Sequence, residues 1–333
     1  MSIERRFYNG PVSPSGIFDY GHGICAVDSV YDRRLQTAIH LLVEGGRAAV
    51  IDTGTSHALP YLLAALEAKG VAPAQVDYVI LTHVHLDHAG AAGQLMARCP
   101  NARLTVHPRG ARHMVDPSRL LAATVAIYGE QQTRRLYGDI VPVPRERVVE
   151  TPEGTTLRLA GRELLFLDAP GHARHHVVVR DAATGHIFAG DTFGLSYREL
   201  DQDGRQFSFP TTSPSQFDPP ALHRSIDRML SFAPPALYVT HFGRLTNLAA
   251  LAADLHRLID AHAELGERHR HAGGARKGLL IEGVRSLVLA ERARQNWRLP
   301  SEKVLEVFAL DIELNAQGLE SWLVTEGKSA VRE

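Results

Sequence analysis

The sequence contains only two cysteines, Cys25 and Cys99, and they lie far apart in the chain. A disulfide framework is therefore not expected, and both thiols are predicted to be buried. No stretch approaches the roughly 18 consecutive apolar residues that a membrane-spanning helix needs. The first ten residues carry Glu4, Arg5 and Arg6 and lack an apolar core, which argues against a signal peptide. Together these absences predict a cytoplasmic protein that is not bound to a membrane.

The sequence also lacks an excess of charge of either sign. It has 36 Lys and Arg residues against 37 Asp and Glu residues, which gives a formal net charge of −1. This balance gives no general attraction to nucleic acid or to an anionic membrane. Histidine, by contrast, is abundant, with 18 residues in 333, and several fall in tight clusters. Whether these clusters mean more than a surface rich in imidazoles depends on where they lie.

Hydrophobic periodicity predicts strands that alternate with helices in the first half of the chain and further strands in the middle. Two apolar runs around Gly45 and Gly46 predict a β-hairpin, and the residues 76–81 predict a short buried strand. This order predicts a layered sandwich with helices on the outside. The residues 193–220 form a long irregular stretch whose phenylalanines favour a packed lid over a linker. From residue 246 onward the pattern is helical, and His256 and His262 are interpreted as surface residues of the first helix there.

The segment His83-Val84-His85-Leu86-Asp87-His88 directly follows the strand predicted over the residues 76–81. Three imidazoles and a carboxylate within six residues are ligands of the type that binds zinc or iron. Because an extended chain has a period of two, His83 and His85 lie on one side, and the turn that follows can direct Asp87 and His88 to a second position. The segment predicts a metal site at the end of this strand.

This segment resembles the HxHxDH signature of the metallo-β-lactamase superfamily, and four further elements match the family in order. They are the DxG element at Asp52-Thr53-Gly54, the PGH element at Pro170-Gly171-His172, the GD element at Gly190-Asp191, and the strand end at Thr240-His241. The resemblance implies an α+β fold, the four-layer αββα sandwich of that superfamily, over the residues 1–245. It leaves the residues 246–333 as a helical C-terminal extension.

The resemblance also implies the ligands of two metal ions. The first metal is held by His83, His85 and His172, the second by Asp87, His88 and His241, and Asp191 bridges both. Asp52 and His176 are implied as supports behind the ligands. The expected cofactors are two Zn²⁺ ions, with Fe or Mn as alternatives.

Two metals in this arrangement would share a hydroxide that attacks an ester, lactone, thioester or phosphoester bond. Asp87 is the candidate for orienting that nucleophile and moving a proton, and Tyr197 is a candidate hydrogen-bond donor to the substrate. The bridging position is an aspartate, Asp191, and no cysteine lies near the other ligands, so a true β-lactamase is not expected. The chain has Ala173-Arg174-His175 where many relatives read a different sequence, which counts against a simple glyoxalase-type thioesterase.

The leading prediction is a metal-dependent hydrolase that acts on a small ester, lactone or thioester. The alternative is an iron-dependent oxygenase similar to the persulfide dioxygenases of this fold, because the same ligands would serve a single iron. A nuclease is the third interpretation, and the neutral charge argues against it. The predicted partner is a small-molecule substrate, with no nucleic acid, and a homodimer is left open.

Overall fold

The computed structural model describes the residues 16–212 and 216–330. The first ten residues, on which the prediction about a signal peptide rests, lie outside this range. Within the described part of the chain, no helix is both long enough and apolar enough to cross a membrane.

The chain forms two compact units. The first comprises the described residues of Met1–Asp168, together with His175–Gly190 and Phe232–Thr246, and the second comprises Ala169–Arg174, the described residues of Asp191–Ser231 and those of Asn247–Glu333. The predicted domain division between residues 245 and 246 stays a prediction.

The first unit contains a seven-stranded sheet in which the strands lie in chain order. They are β1 (Ile17–Asp19), β2 (Ile24–Asp28), β3 (Ala38–Glu44), β4 (Arg47–Ile51), β5 (Val76–Ile80), β6 (Arg103–Val106) and β7 (Val148–Glu150). Strands β1 to β4 are antiparallel, whereas β4 to β7 run parallel. The predicted hairpin is confirmed at β3 and β4, where Gly45 and Gly46 both have positive φ. Two such residues make the turn whose twist matches that of the flanking strands.

A six-stranded sheet completes the β-structure of the first unit. Its strands are β8 (Thr156–Leu159), β9 (Arg162–Asp168), β10 (Val177–Asp181), β11 (Ile187–Gly190), β12 (Leu237–Val239) and β13 (Gly243–Leu245). They lie in the order β13-β12-β11-β10-β9-β8. All neighbours are antiparallel except β11 and β12, which are parallel.

The alternation of side chains along the strands of the first sheet explains how the sandwich is held together. Ile39 and Leu41 of β3 belong to a hydrophobic core that also contains helix residues such as Leu62. Leu42 points to the other face, where it packs in a core shared with residues of the second sheet such as Phe166. Period-two alternation therefore gives the first sheet one face toward helices and one face toward the second sheet. The helices of this unit are α1 (Leu59–Ala68), α2 (Leu86–Ala89), α3 (Ala92–Arg98), α4 (Pro108–Val115), α5 (Ser118–Tyr128) and α6 (Glu130–Tyr137).

Both cysteines lie in the core between the first sheet and its helices. Burial raises the pKa of the Cys25 thiol and that of the Cys99 thiol to about 11. Each is therefore a protonated, unreactive thiol at neutral pH. The prediction that both are buried is confirmed.

The second unit contains the predicted C-terminal helices. Its helices are α7 (Pro219–Ser231), α8 (Leu248–Arg268), α9 (Arg276–Gln295), α10 (Ser301–Val307) and α11 (Ala309–Ala330). The helical character of the chain after residue 246 is thus confirmed. Helix α7 was not predicted from the sequence, since its apolar residues directly follow the irregular stretch before it.

The phenylalanines of the irregular stretch do not form a lid, and that prediction is wrong. Phe193, Phe207, Phe209 and Phe217 are all buried. Phe207 packs with its ring centroid 4.8 Å from that of Trp297, Phe209 lies 5.2 Å from Phe308, and Phe217 lies 5.8 Å from Trp322. Trp322 belongs to α11, whereas Trp297 and Phe308 lie in the connections on either side of α10. The rings are therefore part of the hydrophobic core of the second unit rather than a lid.

The interpretation of His262 as a surface residue is also wrong, because its side chain is fully buried. On α8 it shares a face with Leu255, Leu258 and Ile259, which lie seven, four and three residues before it and are buried as well. Its Nδ1 donates to the carbonyl oxygen of Leu258 at 2.7 Å. The helical period alone would have placed this histidine in the core.

Candidate metal centre

The histidine-rich segment begins shortly after β5 and leads into α2. Asp52 directly follows β4, the parallel neighbour of β5. Because the carboxyl ends of adjacent parallel strands meet at one edge of a sheet, the backbone brings Asp52 close to His83 and the residues after it.

Asp52 is the hub of a buried hydrogen-bond network. Its carboxylate accepts from the backbone N–H and the hydroxyl of Thr82 at 2.9 Å each, and from the hydroxyl of Thr240 at 2.9 Å. It also accepts from Nδ1 of His88 at 2.8 Å. The network ties together the residues that follow β4, β5 and β12. It also fixes the orientation of the His88 ring, because a carboxylate can only accept a hydrogen bond.

Asp87, His88 and His241 converge within the first unit. Nε2 of His88 lies 3.6 Å from Oδ2 of Asp87, and Nε2 of His241 lies 3.4 Å from the same oxygen. One ligand atom from each of the three residues lies within 4.8 Å of the other two. Nδ1 of His241 is bonded to the backbone oxygen of Gln36 at 3.1 Å, so both imidazoles are held by the nitrogen that faces away from Asp87.

His83 and His85 form a second converging pair in the same unit. Nε2 of His83 and Nδ1 of His85 are 2.8 Å apart. His83 is held at Nδ1 by the Thr82 hydroxyl at 3.1 Å, and the ring of His176 stacks on it with 4.8 Å between centroids. At Gly190, which has a φ of +51°, a Cβ atom would lie 2.6 Å from Nε2 of His176. Glycine is therefore required there for the ring of His176 to reach His83.

The remaining two predicted ligands, His172 and Asp191, lie in the second unit and contact each other. Nε2 of His172 lies 3.6 Å from Oδ2 of Asp191. Nδ1 of His172 donates to the carbonyl oxygen of Thr211 at 3.0 Å. The Thr211 hydroxyl in turn donates to the backbone oxygen of Asp191 at 3.3 Å, so one threonine positions both residues.

These donor sets fit a transition-metal ion of the zinc or iron type. His88, His241 and His172 each have Nδ1 occupied by an oxygen acceptor and Nε2 within 3.6 Å of an aspartate oxygen. Metal-binding histidines are commonly held this way, because the outer hydrogen bond fixes the tautomer and leaves the inner nitrogen as a lone-pair donor. Neutral imidazole and carboxylate are also the ligand types that zinc and iron accept.

Tyr197 lies in the second unit, where its fully buried hydroxyl donates to both carboxylate oxygens of Asp311 at 3.0 and 2.9 Å. The catalytic role of Tyr197 stays a prediction.

Several residues that support the predicted ligands were not predicted from the sequence. The Thr82 hydroxyl bonds to Nδ1 of His83, and the Thr240 hydroxyl bonds to Asp52. Both threonines precede a predicted ligand, so the repeated Thr-His dipeptide was a signal that could have identified them. Gln36 and Thr211 act through backbone oxygens, which carry no signal in the residue type. His175, which departs from the family pattern, lies with its ring centroid 5.8 Å from that of His85.

Comparisons with known proteins identify the family and the fold. The family model of the metallo-β-lactamase superfamily matches the residues 32–241. A hydroxyacylglutathione hydrolase of Xanthomonas axonopodis pv. citri (strain 306) is 29% identical over 237 residues, which are 71% of this chain and 71% of that protein. A hydroxyacylglutathione hydrolase of Synechococcus sp. (strain JA-3-3Ab) is 32% identical over 150 residues, 45% of each chain. These relatives confirm the prediction of a hydrolase.

Two solved structures show the fold. A metallo-β-lactamase family protein of Thermus thermophilus has a TM-score of 0.65 and 21% identity, and the match covers 92% of this chain and 94% of that one. An archaeal metallo-β-lactamase superfamily protein of Sulfolobus tokodaii has a TM-score of 0.58 and 18% identity, with 90% and 99% covered. The predicted fold, two sheets flanked by helices with a helical C-terminal extension, is confirmed. The chain belongs to the metallo-β-lactamase superfamily.

Proposed function

We propose that this chain is a dinuclear metal-dependent hydrolase that acts on a small ester, lactone or thioester. The observation that carries the proposal is the convergence of Asp87, His88 and His241, with both imidazoles held by their outer nitrogens. A solvated histidine cluster would not need such anchors, whereas a metal site does.

Following the superfamily resemblance, we assign His83, His85 and His172 to one metal and Asp87, His88 and His241 to the other. We assign Asp191 to both, with Asp52 and His176 as supports. When bound, such a pair of ions activates a water molecule for attack and polarises the bond that is broken. In this assignment Asp87 orients the nucleophile and holds its proton, while Asp52 keeps His88 in the tautomer that has its lone pair on Nε2.

We propose an acyl substrate, with a thioester as the first class to examine. The support is the name of the relatives, which are hydroxyacylglutathione hydrolases at 29% and 32% identity. Arg174 and His175 follow the proposed ligand His172 after one intervening residue, Ala173. A cation and an imidazole at these positions would change the binding of an anionic acyl carrier. Lactones and neutral esters should therefore be assayed together with thioesters.

We further propose that the native metal is zinc, with iron or manganese as the alternatives, and that the enzyme acts in the cytoplasm. Elemental mass spectrometry of protein purified without added metal tests the metal directly. About two zinc ions per chain are expected. About one iron per chain, together with oxygen consumption on a glutathione persulfide, would instead establish the oxygenase.

The substitution Asp191→Ala tests the assignment of the ligands. A change behind a metal ligand commonly costs about 10- to 100-fold in metal affinity or activity, so loss of a ligand to both metals should exceed about 100-fold. The matched control is Asp203→Ala, which removes an exposed aspartate of the same unit that pairs with Arg298. Full metal content and activity in Asp191→Ala would show that the assignment is wrong.

A further inference from the structure

A second pair of histidines lies between two helices of the second unit. His223 of α7 and His256 of α8 each expose about a quarter of their side chains, 26%. Their Nδ1 atoms are 2.5 Å apart, their ring centroids are 4.8 Å apart, and their planes differ by 18°. The rings are therefore nearly coplanar and meet nitrogen to nitrogen rather than face to face.

The opposite nitrogen of each ring bonds to an aspartate of the other helix. Nε2 of His223 lies 2.9 Å from Oδ1 of Asp260, and Nε2 of His256 lies 3.1 Å from Oδ1 of Asp227. Each helix thus carries a histidine followed four residues later by an aspartate, and the two pairs are exchanged between the helices. An ionised carboxylate only accepts hydrogen bonds, so both Nε2 atoms carry hydrogen.

This bonding determines what lies between the rings. A neutral imidazole has one hydrogen, and with that hydrogen on Nε2 its Nδ1 is a lone-pair acceptor. Two such lone pairs facing each other at 2.5 Å repel, unless a positive charge lies between them. A proton or a metal ion would supply that charge, and the two aspartates would balance it.

We propose that His223 and His256 bind a divalent cation of the zinc class through their Nδ1 atoms, with Asp260 and Asp227 holding the rings. The arrangement in which a carboxylate holds the histidine nitrogen that is remote from the metal is the one that metal-binding histidines use. Zinc–nitrogen bonds are about 2.0–2.1 Å long, so the Nδ1 atoms would separate modestly to admit the ion. Both rings are partly exposed, so they can move apart by this amount. Water can also reach the ion and complete its coordination.

The site would join α7 to α8 and would be structural rather than catalytic. The same helix α7 supports the loop that carries His172: the Ser225 hydroxyl donates to the carbonyl oxygen of Pro170 at 2.7 Å. A Cβ atom on Gly171 would lie 2.4 Å from the backbone of Leu222, so this loop is in close contact with the helix. A cation on His223 would therefore stiffen the helix on which this loop rests.

Zinc binding at a fixed concentration of free zinc tests the proposal. Full-length protein is equilibrated with a buffered zinc solution, and zinc per chain is counted by elemental mass spectrometry together with the thermal melting temperature. We expect His256→Ala to bind one zinc ion fewer than the unchanged protein and to gain less thermal stability from zinc, with its hydrolase activity unchanged. Asp227→Asn keeps the shape of the side chain and should lower the affinity of the His223–His256 pair for zinc by about tenfold or more. His271→Ala, an exposed histidine of the same unit, is the matched control and should bind as the unchanged protein does.

Equal zinc counts in the unchanged protein and in the double variant His223→Ala/His256→Ala would overturn the proposal. So would a shared proton that persists with zinc present, seen as a low-field NMR signal that disappears only in the histidine variants. Asp227→Asn leaves both rings in place, so it still tests the proposal if the alanine variants misfold.

Discussion

The two histidine clusters of this chain are held by opposite nitrogens. In the predicted ligand set, His88 and His241 are bonded at Nδ1, and their Nε2 atoms face Asp87. In the outer pair, His223 and His256 are bonded at Nε2 and face each other through Nδ1. In both cases the anchoring oxygen selects the tautomer, and the tautomer decides which nitrogen can bind a metal. The residue that holds a histidine is thus as informative as the histidine itself.

The clusters differ in burial, and this difference separates a rigid site from an adaptable one. His88 is completely buried, and its anchor Asp52 is only 1% exposed. The outer rings are 26% exposed, and their anchors, Asp260 and Asp227, are 65% and 70% exposed. Water competes for exposed hydrogen bonds and weakens their net effect. We therefore expect tight, preorganised binding in the buried cluster and weaker binding at the outer pair.

Removing the buried anchor should give the larger effect. In Asp52→Asn, an amide replaces an acceptor that receives hydrogen bonds from Thr82, Thr240 and His88, and its NH₂ group cannot accept any of them. We expect metal affinity and activity to fall by about 100-fold, because His88 loses the bond that fixes its tautomer. Metal titration and steady-state kinetics measure this loss.

The control for this prediction is Asp77→Asn, which removes an aspartate that pairs with Arg47 at the protein surface. It should leave metal affinity and activity unchanged, because exposed ion pairs contribute little. If Asp52→Asn behaves like this control, the bond from Asp52 does not determine metal binding by His88, and the same role for Asp260 and Asp227 at the outer pair loses its support.

His262, a buried histidine that belongs to neither cluster, should make the folding stability depend on pH. Burial lowers the pKa of His262 to about 4, and its Nε2 has no hydrogen-bond partner among the described residues. The pKa of this histidine in the folded protein lies below its value in the unfolded chain, about 6.5. Its contribution to the folding free energy is therefore fully present above pH 6.5. It is lost as the pH falls toward and through the folded value, because the unfolded chain binds the proton first.

We therefore expect the native protein to lose about 2 kcal/mol of folding free energy through this group between pH 7.5 and pH 5. In His262→Leu that part of the pH dependence should be absent, as measured by denaturant unfolding at both pH values. His271→Leu, on an exposed position, should keep the native pH dependence. An unchanged pH dependence in His262→Leu would mean that this ring is reached by water.

The sequence predicted the buried cluster because its chemistry lies in short motifs. The segment His83-Val84-His85-Leu86-Asp87-His88 alone supplies four of the seven proposed ligands, and the other three, His172, Asp191 and His241, each follow the end of a strand. The outer pair could not be found in this way, since His223 and His256 are 33 residues apart and belong to two helices whose contact no local pattern encodes. The prediction for His262 is wrong for a different reason: histidine is usually a surface residue, whereas the helical period of Leu255, Leu258 and Ile259 predicts that this position is buried.

The smallest effect is expected at Tyr197, whose hydroxyl donates to both oxygens of Asp311 in the core of the second unit. In Tyr197→Phe the removal of this donor from a buried carboxylate should cost about 1–2 kcal/mol of folding free energy. If the residue acts only in packing, kcat should stay within about twofold after correction for the folded fraction, because no interaction in the transition state is removed. If it donates to the substrate, kcat should fall by at least about tenfold in addition to that loss of folding free energy. Asp311→Asn separates the two outcomes further. It keeps an oxygen that can accept the hydrogen bond from the Tyr197 hydroxyl and removes only the negative charge beside it.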